Sequence, residues 1–64
     1  MIFSEKLQLI RKNQGITQEQ LAEKLDVSRQ AVAKWESGQV YPDINNLIQI
    51  SNLFHVTVDY LVRD

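Results

Sequence analysis

The sequence predicts an all-α fold, a compact bundle of five short helices numbered α1 to α5 in chain order. Apolar residues recur at helical spacing, no segment shows the polar and apolar alternation of a half-buried strand, and hydroxyl or carboxylate side chains precede the periodic segments. At 64 residues the chain suffices for one small core, so we expect a single domain over residues 1–64. Such short helices are stable only when packed on one another.

The first two helices are predicted from their apolar stripes and their ends. The stripe of α1 stops before Gly15, a natural helix terminator. Thr17 stands three residues before Gln20, the spacing of a capping box, and therefore begins α2. The stripe of α1 contains Phe3, Leu7 and Ile10, and that of α2 contains Leu21, Ala22 and Leu25.

The remaining helices are delimited in the same way. Ser28 is expected to cap α3, with Val32 and Trp35 on its inner face, and Ser37-Gly38 to end it. The dipeptide Tyr41-Pro42 forces an extended connection. Asp43 and Thr57 are the expected caps of α4 and α5. The apolar residues of these helices are Ile44, Leu47, Ile48, Ile50 and Phe54 in α4, and Val58, Leu61 and Val62 in α5.

The connection between α2 and α3 is the loop that says most about how the helices are arranged. Only Asp26 and Val27 separate Leu25 from Ser28, which is too short for a reversal of direction and suits a sharp helix-turn-helix corner. Asp26 is expected in the left-handed conformation, which Asp tolerates better than most residues do. Val27 is expected to point inward and hold the corner.

Composition excludes several classes of function. The chain has no cysteine and one histidine, His55, which excludes a disulfide framework and a thiolate metal site. No catalytic triad, glycine-rich phosphate loop or paired-carboxylate cleft can be assembled, so we expect neither catalysis nor a cofactor. No apolar run is long enough to cross a membrane and no leader is apparent, so we expect a cytoplasmic protein without membrane contact.

The segment TQEQLAEKLDVSRQAVAKWESG, residues 17–38, resembles the helix-turn-helix of the phage-repressor and Cro family of bacterial regulators, also called the xenobiotic-response-element family. IRKNQGITQEQLA and VTVDYLV extend the resemblance over nearly the whole chain. It implies the lambda-repressor-like five-helix DNA-binding domain, with the motif formed by α2 and α3. Two positions depart from the family pattern: Asp26 and His55 stand where many members have glycine.

In this motif the second helix enters the major groove with its N-terminal residues against the base edges. The resemblance places Arg29, Gln30, Ala33 and Lys34 at the base-reading positions. Arginine can bond guanine with two parallel hydrogen bonds, glutamine can bond adenine likewise, and alanine can contact a thymine methyl. From the residues alone, these positions also suit an ordinary solvated helix surface.

The resemblance also implies contacts to the DNA backbone, which set the register of the protein on the duplex. A helix N-terminus favours a phosphate, and hydroxyl and amide side chains can donate to it. For Thr17 and Ser28, helix capping alone is an equally good explanation. The expected phosphate-anchoring residues are Thr17, Gln18, Ser28, Ser37, Gly38 and Gln39.

Arg11 and Glu36 occupy positions at which the family often has an ion pair. If this pair is partly buried, it would hold the recognition helix on α1. Removing one partner would then cost about 3–5 kcal/mol, because the other charge would stay buried alone.

We therefore expect a sequence-specific transcriptional regulator, a repressor that binds a palindromic operator as a homodimer. The alternative is a helical protein-interaction module without DNA binding, which the net charge of −1 favours. Exposed apolar residues would serve either a homodimer or another protein partner. The candidates for such a patch are Ile44, Ile48, Val58 and Val62.

Overall fold

A computed structural model describes residues 1–63 and confirms the predicted all-α fold; Asp64, the last residue of the predicted domain, lies outside the described residues. No strand occurs in the described chain. The helices are α1 (Phe3–Asn13), α2 (Gln18–Leu25), α3 (Arg29–Ser37), α4 (Ile44–Phe54) and α5 (Val58–Val62).

Side-chain caps begin α2 to α5, as the sequence predicts. The Thr17 hydroxyl accepts from the Gln20 backbone N–H at 3.0 Å, and the Gln20 side chain accepts from the Thr17 N–H at 2.8 Å. Single cap bonds of the same kind begin the later helices, from Ser28, Asp43 and Thr57. Each bond satisfies an N–H group that has no partner within its helix.

Left-handed residues end α2 and α4. Asp26 has φ 58° and His55 has φ 57°, so the two departures from the family pattern adopt the conformation that glycine would adopt. Asp26 turns the chain between α2 and α3, and the backbone N–H of Val27 then bonds the Ala22 carbonyl at 3.0 Å. Val27 packs against the core as expected.

The core lies between all five helices and includes Trp35, which is buried as predicted. Ile10 and Val58 are only partly buried, whereas Ile44, Ile48 and Val62 are exposed. The proposed apolar patch is therefore exposed at three of its four positions, and Val58 instead packs against the core. The buried apolar residues are Phe3, Leu7, Leu21, Ala22, Leu25, Val32, Trp35, Leu47, Ile50, Phe54 and Leu61.

Lys6 joins the two ends of the described chain. Its ammonium is buried and donates to the backbone carbonyls of Tyr60, at 2.6 Å, and Arg63. The same ammonium lies 4.7 Å from the centre of the Tyr60 ring. These contacts hold α5 on α1. In the described part of the chain, no helix combines the length and hydropathy needed to cross a bilayer.

Candidate nucleic-acid interface

The N-terminal end of α3 is exposed because the opposite, inner face of this helix packs into the core. Val32 and Trp35, three residues apart, are buried, which turns the opposite face of the helix outward. Arg29 and Gln30 occupy the first two positions after the Ser28 cap, and both are exposed. They stand at the tip of the second helix of the helix-turn-helix.

The outward face of α3 and the loop after it enclose an open hollow of about 440 Å³, here called the α3 hollow. It contains the residues predicted to read bases together with two of those predicted to anchor phosphates. Hydrogen-bond donors and one methyl group thus share one surface, as direct reading of base edges requires. Its lining residues are Arg29, Gln30, Ala33, Lys34, Ser37 and Gln39.

Glu36 connects α3 to both preceding helices. Arg11 donates to its carboxylate twice, from Nε to Oε2 at 2.6 Å and from Nη2 to Oε1 at 3.0 Å. The two side chains are 11% and 4% exposed, so the pair is buried. From α1, Gln8 donates to the Glu36 backbone carbonyl at 2.8 Å. This carbonyl belongs to the last turn of α3, where carbonyls lack helical partners.

Gln18, predicted as a phosphate anchor, donates from Nε2 to Glu36 Oε1 at 3.0 Å. A carboxamide nitrogen carries two hydrogens, so this bond uses one of its two donors. Gln18 is the first residue of α2, and its own backbone N–H has no carbonyl partner within the helix. The contact to Glu36 therefore fixes the Gln18 side chain and leaves its second amide hydrogen available to donate.

The other residues predicted to anchor phosphates differ in whether they still have a hydroxyl hydrogen available to donate. Thr17 and Ser28 accept hydrogen bonds as helix caps, and each keeps its hydroxyl hydrogen for another acceptor. Ser37 instead donates its hydroxyl to the Lys34 carbonyl at 3.1 Å. Gly38 ends α3 with φ 82°, and Gln39 follows it on the surface. Ser37 would have to rotate its hydroxyl to donate to a phosphate.

A second open hollow, of about 360 Å³, lies where α1, α2 and α3 meet and is here called the junction hollow. Two of its residues, Gln8 and Lys12, are not among the site residues that the sequence predicts. Gln8 precedes Arg11 by three positions and Lys12 by four, so all three side chains lie on one side of α1. This spacing indicates a polar surface on α1 from the sequence alone. The lining residues are Gln8, Arg11, Lys12, Gln18, Ala33, Glu36 and Ser37.

The family model described as helix-turn-helix matches residues 7–61, which include the lining of both hollows and every buried apolar residue listed above except Phe3. This chain belongs to the helix-turn-helix family. That match confirms the resemblance found in the sequence. Within residues 1–63, no group of three or more His, Asp or Glu side chains is placed to hold a metal ion.

Similar members of the helix-turn-helix family are transcriptional regulators. The HTH-type transcriptional activator BcrR of Enterococcus faecalis is 55% identical over 62 residues, which are 97% of this chain and 30% of BcrR. The HTH-type transcriptional regulator ImmR of Bacillus subtilis is 34% identical over 97% of this chain and 49% of ImmR. The chain thus spans half or less of the length of these two relatives.

Among solved structures, the P22 c2 repressor in complex with a synthetic operator matches with a TM-score of 0.93 and 28% identity. That match covers 98% of this chain and 96% of the repressor chain. The helix-turn-helix fold described above is therefore shared with a repressor whose structure was solved on operator DNA.

Proposed function

We propose that this protein is a sequence-specific transcriptional regulator that binds double-stranded DNA by placing α3 in the major groove. The observation that carries this proposal is the α3 hollow, because it groups Arg29, Gln30 and Lys34 on the outward face of the second motif helix. The operator complex of the structurally similar P22 c2 repressor supports it. In such a complex, the preceding helix α2 would cross the DNA backbone.

The side chains of the α3 hollow have complementary roles in this proposal. Arg29 would donate two parallel hydrogen bonds to a guanine, and Gln30 would both donate to and accept from an adenine. Ala33, one turn further on, would contact a thymine methyl. Lys34 continues the same exposed face with a positive charge. Each good bidentate pair contributes about 1–3 kcal/mol of discrimination against the wrong base.

Phosphate contacts from α2 and from the ends of α3 would set the register. The free hydroxyl hydrogens of Thr17 and Ser28, and the second amide hydrogen of Gln18, are donors for this purpose. The positive end of the α2 dipole favours the same phosphate. The loop of Ser37, Gly38 and Gln39 would contact the backbone on the other side of α3.

One helix-turn-helix domain reads only half of a site, so we propose a homodimer on a palindromic operator. The exposed apolar residues Ile44, Ile48 and Val62 are candidates for its interface. Regulation would follow from occupation of promoter DNA in the cytoplasm, as a repressor acts, without catalysis and without a cofactor. A regulator bound over a promoter would block the binding of RNA polymerase there.

The same exposed apolar residues favour a second candidate function, binding of another protein without DNA. The salt dependence of binding distinguishes the DNA-binding function from the protein-binding function. Binding to DNA weakens steeply as salt rises because counterions are released from the phosphates. An apolar contact between proteins does not weaken in this way, because its driving force is burial of apolar surface.

Selection from random duplex DNA at two salt concentrations tests the proposed function. We expect enrichment of a palindrome by the unaltered chain and loss of that enrichment in the Arg29→Ala, Gln30→Ala double variant. A matched control is Gln49→Ala with Asn52→Ala, two exposed polar residues of α4 outside both hollows. Equal enrichment by the Arg29/Gln30 variant would contradict base reading by α3.

A further inference from the structure

We propose that Gln8 of α1 is a positioning residue for base recognition, because its bond to the end of α3 sets the angle at which Arg29 and Gln30 are presented. This inference rests on the proposed function and assigns the accuracy of base reading to a residue outside the helix-turn-helix. Gln8 is partly buried and donates from Nε2 to the Glu36 backbone carbonyl at 2.8 Å.

The Glu36 carbonyl lies beyond the local cap of α3. At the end of this helix, the backbone N–H of Gly38 bonds the Trp35 carbonyl at 3.3 Å, and that of the following residue bonds the Lys34 carbonyl at 3.0 Å. Such bonds return to earlier carbonyls of the last turn, as is usual after a left-handed glycine. The Glu36 carbonyl receives its bond from α1 instead. Gln8 therefore completes the end of α3 from another helix.

A second residue of α1 completes the end of α5 in the same way. Lys6 donates from its ammonium to the backbone carbonyls of Tyr60, at 2.6 Å, and Arg63. In this fold, α1 thus supplies donors to the C-terminal ends of two other helices. An ammonium can satisfy such a carbonyl as an amide does.

The Gln8 bond restrains α3 more directly than the neighbouring ion pair does. In the pair of Arg11 and Glu36, two flexible side chains separate the backbones of α1 and α3, so the helices can shift while the pair adapts. The Gln8 bond ends on the backbone of α3 itself. Gln8 and Arg11 are neighbours on one face of α1, and two attachments side by side restrain the tilt of α3 as well as its position.

A small tilt of α3 has its largest effect at the tip that reads bases. Arg29 stands at the opposite end of α3 from Glu36, about 10 Å away at a rise of about 1.5 Å per residue. A tilt of about 6° at Glu36 would therefore move the backbone of Arg29 by about 1 Å. Functional groups must be held to within about 0.5 Å of their productive geometry. Loss of the Gln8 bond should therefore impair base recognition.

The test measures, for each variant, the ratio of its affinities for two duplexes. One is the selected duplex, and the other has the base pair read by Arg29 replaced; that base pair is the one whose replacement no longer weakens binding by Arg29→Ala. Phosphate contacts and any unfolded fraction of the protein change both affinities equally, so they cancel in the ratio. For the unaltered protein we expect a ratio of about 5 to 150 per half-site.

Three variants are compared with the unaltered protein. Gln8→Met keeps the length and helix propensity of the side chain but removes its donor, and it should reduce the ratio by about fivefold, the lower end of what one bidentate pair supplies. Gln8→Lys should restore the ratio, because lysine can donate to the Glu36 carbonyl as Lys6 does to that of Tyr60. The matched control is Gln49→Met, on the exposed surface of α4 outside both hollows, which should keep the full ratio.

The outcomes distinguish this inference from the proposed function. A full ratio in Gln8→Met, with discrimination by the unaltered protein, would overturn the positioning role and leave base reading by α3 intact. Equally weakened binding of both duplexes by Gln8→Met would also overturn it, because it would show a backbone contact or a purely stabilising role. Absence of DNA binding by the unaltered protein would overturn the proposed function itself.

Discussion

Glu36 receives hydrogen bonds from Gln8, Arg11 and Gln18, so the stability of the fold should be sensitive to the loss of its charged partner. Replacing Arg11 by Met leaves a buried carboxylate without a cation. We expect Arg11→Met to lower the free energy of unfolding by about 3–5 kcal/mol. Urea denaturation followed by circular dichroism at low temperature would measure this loss.

Two further variants determine whether the loss comes from the unpaired charge. In Arg11→Met with Glu36→Leu, both charges are removed, and most of the stability should return. Arg63→Met breaks the pair with Asp59, whose side chains are 75% and 65% exposed, so the denaturation midpoint should stay unchanged. If Arg11→Met shifted the midpoint no more than Arg63→Met, the buried pair would not hold α3 on α1.

At the scale of the element, the beginning of α2 combines a capping role with a proposed phosphate contact, and one substitution separates them. Aspartate caps a helix as well as threonine does, but its negative charge repels a phosphate. We expect Thr17→Asp to keep the melting temperature of the parent protein and to lower its affinity for DNA by about tenfold, because a hydrogen bond to a charged phosphate is lost. Thermal melting and a binding titration on the same preparation would measure both effects.

Thr57 provides the matched control for Thr17. It caps α5 through the same type of bond, to the Tyr60 N–H at 2.9 Å, and lines neither hollow. Thr57→Asp should therefore retain both the melting temperature and the affinity for DNA. Unimpaired binding by Thr17→Asp would show that Thr17 is only a cap.

At the scale of the whole molecule, a two-fold dimer makes the spacing of the half-sites critical. Recognition helices about 34 Å apart read half-sites separated by about one helical turn of DNA. Insertion of about half a turn between the half-sites should abolish joint binding, because it moves them to opposite faces of the duplex. Binding titrations on a series of spacers would test this, and affinity independent of spacing would contradict a rigid dimer.

The positions of the helices were largely predictable because they depend on local interactions. A cap bond joins residues three apart, as from Ser28 to the N–H of Ala31, and the apolar stripe of a helix repeats within one or two turns. The left-handed conformation of Asp26 is predictable for a related reason, since it follows the last turn of its helix, and His55 stands at the corresponding position after α4, where many family members have glycine. The exposure of Ile44 and Ile48 depends on how α4 packs, because the buried residues of that helix, such as Ile50, are apolar as well.

The interactions around Glu36 and the junction hollow depend on residues that are distant in sequence. Gln8 and Glu36 are 28 positions apart, and nothing in the local sequence of either residue indicates their hydrogen bond. The burial of Lys6 against the Tyr60 carbonyl spans 54 positions. Such contacts follow from how the helices cross, which depends on packing of the complete core.

The sequence by itself determined that the chain is helical, where α2 to α5 begin, and which residues stand at the exposed tip of α3. Local hydrogen bonding and helical periodicity specify all of these. Only the tertiary structure decided that Gln18 is held by Glu36 and that Lys12 of α1 lies on the same surface as α3. These features require three helices to meet at one place, and that meeting is set by burial of their apolar faces together.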